Sequence, residues 1–139
     1  MKQPAWITEE ECLAVHDALL VRHGGLPGVR DMGLLGSALH RPIQLLLYGK
    51  PSMFDLAAAY ASGIIKNHPF NDGNKRAGFV VAALFLESNG EKFTATEESV
   101  IVTTLALAAG ELGEKEYAAW LKASCRQPRA ASKRTPRGR

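Results

Sequence analysis

The sequence predicts an all-α fold: a compact bundle of about six to seven helices around a buried central helix, broken by one glycine-rich loop or short hairpin. Three observations carry this prediction. Apolar residues recur at helical spacing through most of the first 125 residues, and capping residues alternate with Gly and Pro breakers. One segment, AGFVVAALFLESNG, is apolar almost all round before Glu87, which is the mark of a helix enclosed by others.

Thr8 and Glu11 form a capping-box pattern, opening a helix over residues 8–23 whose apolar positions are Cys12, Val15, Leu19 and Leu20. Gly24-Gly25 stops it. The segment GGLPGVRD is loop or short hairpin, and Asp31 is placed to cap a short helix through Leu34, Leu35 and Leu39. Pro42 suits the first turn of a further helical piece, PIQLLLYG. The next helix, DLAAAYASGIIKN, carries Leu56, Tyr60, Ile64 and Ile65 on one stripe. It has to stop near Asn67, because Pro69 pushes His68 out of the α region.

The central helix is expected to begin at Gly73 or Asn74 and to end at Asn89-Gly90, a C-cap pair. An extended stretch, EKFTAT, precedes EESVIVTTLALAAGEL and EKEYAAWLKAS, with Thr94 or Thr96 as cap. The β-branched run Val100 to Thr104 is also compatible with a strand, but its alanine-rich flanks favour helix.

Charge divides the chain in two. From Arg126 onward RQPRAASKRTPRGR holds six bases and no acid, leaving 11 bases against 14 acids before it. Residues 1–125 are therefore expected to form one helical domain, and 126–139 a disordered basic tail whose nucleic-acid contacts are weak, salt-dependent and non-specific. The longest apolar run, Phe79 to Leu86, is too short to cross a bilayer, and the N-terminus lacks the apolar core of a signal peptide. A cytoplasmic protein is expected. Cys12 and Cys125 have neither the spacing of a zinc site nor the density of a disulfide scaffold, and read as reduced thiols.

The chemistry concentrates in NHPFNDGNKRAG, residues 67–78, at the junction of two helices. A helix N-terminus presents unpaired N–H groups and the positive end of the helix dipole, so it attracts anions. Gly73 lets a ligand approach the backbone. Lys75 and Arg76 put two cations in a first turn where the dipole disfavours them unless an anion is present, which points to a phosphate-bearing ligand. Asp72 is either an N-cap or the carboxylate that holds magnesium against phosphate. His68 is either structural or the base that takes a proton from an attacking hydroxyl. Phe70 is expected to turn inward as an apolar peg.

HPFNDGNKR resembles the signature of the Fic/Doc superfamily: His, any, Phe, any, Asp or Glu, Gly or Ala, Asn, Gly or Lys, Arg. Every defined position is met, from His68 through Phe70, Asp72, Gly73, Asn74 and Lys75 to Arg76. GGLPGVRDMGLLGSALHRP, DLAAAYASGIIKNHPF, LFLESNG and YAAWL extend the resemblance over residues 6–122, toward the death-on-curing (Doc-type) toxins. It implies a small Fic/Doc-like helical fold that transfers a phosphate-containing group from ATP or another nucleoside triphosphate to a protein hydroxyl, with Mg2+. His68 would be the base and Asp72 the metal ligand. Gly73, Asn74 and Lys75 would form the anion hole, with Asn74 steadying the loop or touching phosphate, and Arg76 would hold phosphate oxygens in the transition state. GGLPGVRD would be the flap that positions the target, through Arg30 and Asp31, although an Arg–Asp pair that only ties loop to helix is the equal alternative.

Two departures bear on the transferred group. Adenylyl-transferring members typically have Gly at the position of Lys75 and a second Arg at that of Phe79. Lys75 instead matches Doc-type toxins, which implies transfer of the terminal phosphate to a threonine of elongation factor Tu and arrest of translation. Phage-type Doc carries Asn where this chain has Val80, so the resemblance implies that one of its phosphate or nucleotide contacts is lost here. No Ser/Thr-x-x-x-Glu-Gly/Asn inhibitory helix is present, so the resemblance implies restraint by a separate Phd-like antitoxin covering the site. The alternatives are nucleotidyl transfer by the same residues and an inactive Doc-fold partner of an antitoxin. A DNA-binding protein fits less well, since the body is acidic, and a metal hydrolase lacks further ligands near His68 and Asp72.

Overall fold

A computed structural model describes residues 3–126 of the chain. Six helices follow in order: α1 (Glu9–His23), α2 (Met32–Tyr48), α3 (Met53–Asn67), α4 (Asn74–Ser88), α5 (Glu97–Ala109) and α6 (Glu114–Ala123). Two short strands, β1 (Lys92–Phe93) and β2 (Cys125–Arg126), pair antiparallel with Phe93 opposite Cys125. The fold is all-α, as expected. The described body runs through Arg126, and the rest of the basic tail lies outside the described residues.

Local chemistry explains most boundaries. The Thr8 hydroxyl accepts from the Glu11 N–H at 3.1 Å while the Glu11 carboxylate accepts from the Thr8 N–H at 2.8 Å, closing the capping box of α1. A second box, Ser52 with Asp55, opens α3 two residues ahead of the expected start. Asp31 caps α2 and Thr96 caps α5. The β-branched run of α5 is helical.

Two expectations are corrected. Residues 32–48 form one helix that passes through Pro42, not two pieces divided there. Proline removes one N–H donor from the ladder, and its ring is fully buried in the bundle, so packing offsets the lost bond. The central helix is α3 and not α4. Every residue from Leu56 to Ile65 is buried, and the helix touches α2, α4, α5 and α6. Small side chains allow this: a Cβ on Gly63 would lie 3.3 Å from the Ala38 Cα of α2, and one on Gly78 of α4 would lie 3.1 Å from the Ala61 carbonyl oxygen. α4 buries Ala77, Val81, Ala82, Phe85 and Leu86 against α3 but leaves Phe79, Val80 and Leu84 half-buried on its other side. Phe79 and Val80 face a cleft.

Candidate active site

The cleft has a volume of about 830 Å³ and runs from the junction of α3 and α4 to α5 and β1. Its polar end is His68, Asp72, Gly73, Asn74, Lys75 and Arg76; its apolar walls include Phe79, Val80, Phe93, Ile101 and Leu105. The structure thus brings all the residues from 68 to 76 singled out for chemistry to one place.

His68 ends α3 in the left-handed conformation, φ 52° and ψ 53°, the sole non-glycine residue with positive φ among the described residues. It leaves the α region before Pro69, as expected, but turns left-handed rather than extended. Such a backbone costs on the order of 1–3 kcal/mol and persists only when neighbours enforce it. Three bonds do so here. The His68 N–H donates to the Ile64 carbonyl at 3.1 Å, and the Arg30 guanidinium donates from Nε to the His68 carbonyl at 2.7 Å and from Nη2 to the Asn67 carbonyl at 2.9 Å. The His68 side chain is exposed at the cleft.

Arg30 belongs to the glycine-rich loop, which is laid along residues 69–72. Val29 and Phe70 form an antiparallel bridge, the Arg30 and Asp31 N–H groups donate to the Pro69 carbonyl, and the Asn71 N–H donates to the Gly28 carbonyl at 3.1 Å. Asp31 caps α2 through the Leu34 N–H at 3.0 Å. Arg30 thus bonds the end of α3 and Asp31 bonds the start of α2, with no bond between the two side chains among the described residues.

Phe70 is fully buried, as expected of a peg. Asn74, only 3% exposed, is its partner: the side-chain oxygen accepts from the Phe70 N–H and the side-chain NH2 donates to the Phe70 carbonyl, each at 3.0 Å. Of the two roles expected for this side chain, the geometry shows loop-steadying. The Asn74, Lys75 and Arg76 N–H groups belong to the first turn of α4, whose N–H groups a helix leaves without intrahelical partners. Gly73 at the N-cap offers no side-chain acceptor, so the turn carries no side-chain cap.

Asp72 does not cap α4. Its Oδ2 accepts from the flap Leu26 N–H at 3.1 Å and its Oδ1 from the Gly73 N–H at 2.9 Å. The Leu26 bond, then the Gly73 bond, hold its carboxyl below the ordinary carboxylate value, and the charge of Arg76 acts the same way. Gly25, at φ 120°, permits this clasp, since a Cβ there would lie 2.9 Å from Asp72 Oδ2. Lys75 and Arg76 are exposed beside it.

Magnesium takes oxygen ligands, commonly one or two carboxylates completed by phosphate and water. Among the described residues no cluster of three or more His, Cys, Asp or Glu is placed to hold a metal; two carboxylates line the cleft, Asp72 beside the start of α4 and Glu97 at the start of α5. The donor set fits a magnesium ion carried with a nucleotide's phosphates, and does not fit a protein-only metal cage.

Sequence reasoning missed His16. It sits on the buried face of α1, 3% exposed, with its ring stacked on Phe70 at a centroid distance of 3.8 Å and an interplanar angle of 6°. Its Nε2 lies 2.8 Å from the Asp72 carbonyl oxygen. The signal was present as a polar residue in the stripe Cys12, His16, Leu19. The α5 and β1 walls of the cleft were also missed, because they join the site from about 20 or more residues away in sequence.

An all-helical bundle with this loop at the start of α4 defines the Fic/Doc class. The Fic/DOC family profile matches residues 6–86, and the chain belongs to that family. It is similar to the protein kinase doc of Escherichia phage P1, with 35% identity over 117 residues, 84% of this chain and 92% of that protein. It is also similar to the toxin Doc of Mycolicibacterium smegmatis, with 41% identity over 78 residues, 54% of this chain and 59% of that protein.

Proposed function

We propose that this chain is the toxin of a toxin–antitoxin pair and transfers the terminal phosphoryl group of a nucleoside triphosphate to a hydroxyl of a translation factor. The observation that carries it is the uncapped start of α4, flanked by Lys75 and Arg76, with His68 and Asp72 at the same end of one cleft. The names of the two relatives, a protein kinase and a toxin, agree with it.

In this reading the donor's phosphates lie against the first-turn N–H groups of Asn74, Lys75 and Arg76, the Gly73 N–H being taken by the Asp72 carboxylate, and the Arg76 side chain shares the charge that spreads over the transferred group. Asp72 holds magnesium, which would neutralise phosphate charge when bound. His68 accepts the proton of the target hydroxyl as its oxygen bonds to phosphorus, and the phosphorus–oxygen bond to the departing nucleoside diphosphate breaks. Donor and target are held in line by the flap and the helix start, so positioning and electrostatics supply the rate. The nucleoside occupies the apolar end beside Phe79 and Val80.

The partner that restrains this activity is an antitoxin helix. On α5, Ile101 and Leu105 line the cleft and are 50% and 49% exposed, and the neighbouring Val102, outside the lining, is 61% exposed. These exposed apolar side chains suit the apolar face of an amphipathic helix, which would close the cleft.

Expression in a bacterial host tests the assignment. The parent chain is expected to arrest growth, and His68→Ala, Asp72→Ala and Arg76→Ala are each expected to relieve the arrest at equal protein levels. Three variants as toxic as the parent would overturn the mechanism. Co-expression of a small adjacent reading frame is expected to restore growth through complex formation.

A further inference from the structure

A buried imidazole is costly unless its ring nitrogens find partners, and the reaction proposed above has no use for a second histidine. His16 is nevertheless enclosed beneath the loop that carries all the chemistry. It meets that loop at two residues and lies close to a third: the ring lies flat on Phe70, Nε2 meets the Asp72 carbonyl, and a Cβ on Gly73 would lie 3.8 Å from Nε2. A carbonyl oxygen can only accept, so Nε2 carries the proton.

The Asp72 peptide is thereby held by α1, while its carboxylate is held by the Leu26 N–H of the flap. Anchors from two separate segments meet on this one residue. The peptide between Asp72 and Gly73 joins the carbonyl held by His16 to the Gly73 N–H, which donates to Asp72 Oδ1 at 2.9 Å; without the His16 anchor it can rotate, and the carboxylate loses one of its two N–H partners.

We propose that His16 is a positioning residue for magnesium–nucleotide binding: its Nε2–H donates to the Asp72 carbonyl and its ring clamps Phe70, which aims the Asp72 carboxylate. This rests on the reading of Asp72 as the magnesium ligand. Groups that orient a metal ligand typically change metal affinity or activity by about 10- to 100-fold when removed.

His16→Phe keeps a flat ring over Phe70 and loses the donor; His16→Gln keeps an N–H donor near the Nε2 position. Calorimetric titration of the full chain with a non-hydrolysable ATP analogue, with and without magnesium, separates their effects. His16→Phe is expected to weaken binding at least tenfold with magnesium and to leave magnesium-free binding within about twofold, and His16→Gln to recover most of the loss. Equal binding by His16→Phe and parent overturns the proposal. So does a loss of the same size with and without magnesium, since that marks general loosening of the fold. Should His16→Phe not fold, a folded His16→Gln with parent-like magnesium dependence supports the donor role, and one with weakened dependence contradicts it. A parent that binds no nucleotide contradicts the proposed function instead. In that case hydrogen exchange at the Gly73 and Asn74 amides, expected to be at least tenfold faster in His16→Phe and restored in His16→Gln, still decides whether His16 holds the loop.

Discussion

At the scale of single residues, His68 is held by its backbone and not by its side chain. The left-handed His68 survives because Arg30 forks across the last two carbonyls of α3. Arg30→Ala is expected to destabilise the fold by about 1.5 kcal/mol, the usual worth of a hydrogen bond to a charged group, as read by urea denaturation. It is also expected to lower transfer activity more than stability accounts for, since His68 loses its fixed direction. Arg30→Lys recovers only part of both, because an ammonium cannot reproduce the planar fork. Asn74 poses a cleaner case. Its side chain satisfies both backbone groups of the buried Phe70 at once, so Asn74→Ala leaves an N–H and a carbonyl without partners. The expected cost is about 1–3 kcal/mol per orphaned group, measured by thermal or chemical unfolding.

At the scale of elements, close packing between α3 and its neighbours sets where the site lies. Gly78 of α4 meets Ile65 Cγ1 at 3.0 Å and the Ala61 carbonyl at 3.1 Å when given a Cβ. Gly78→Val is therefore expected to push α4 away from α3 and cost about 1–3 kcal/mol or more, with loss of nucleotide binding because the start of α4 moves with it. Gly36, on α2, has open space around its Cβ direction, and Gly36→Ala is expected to leave stability unchanged or slightly raised. The same packing explains what the sequence concealed. Capping residues made α1 and α5 legible, and the stripe of apolar residues made α3 visible as a helix. Its central place was hidden, because alanines carry little hydrophobic signal and their value lies in how near two backbones can come. Residues 68–76 were legible because the whole constellation is local in the chain. The His16 contact to Asp72 spans 56 positions and depends on how α1 packs, which no local pattern specifies.

At the scale of the whole molecule, burial governs how stability responds to alkali. Burial raises the Cys12 thiol from 9.0 to about 12, and Tyr60 and Tyr117 from 10.0 to about 12. The unfolded chain releases these protons earlier than the folded one, so folding holds more protons above about pH 9, and stability falls as pH rises from there. Thermal unfolding is expected to show a midpoint that declines from pH 9 upward, with Cys12 unreactive to thiol reagents at neutral pH in the folded protein. The described body also has no helix long and apolar enough to cross a membrane. What unites the molecule is a bundle that presents the start of α4, His68 and Asp72 to a single cleft. Intact-mass measurement of elongation factor Tu after incubation with the purified chain, ATP and magnesium tests that account most directly. The account predicts one added phosphoryl group, absent with His68→Ala; an added adenylyl group, or no adduct on the factor at all, would contradict it.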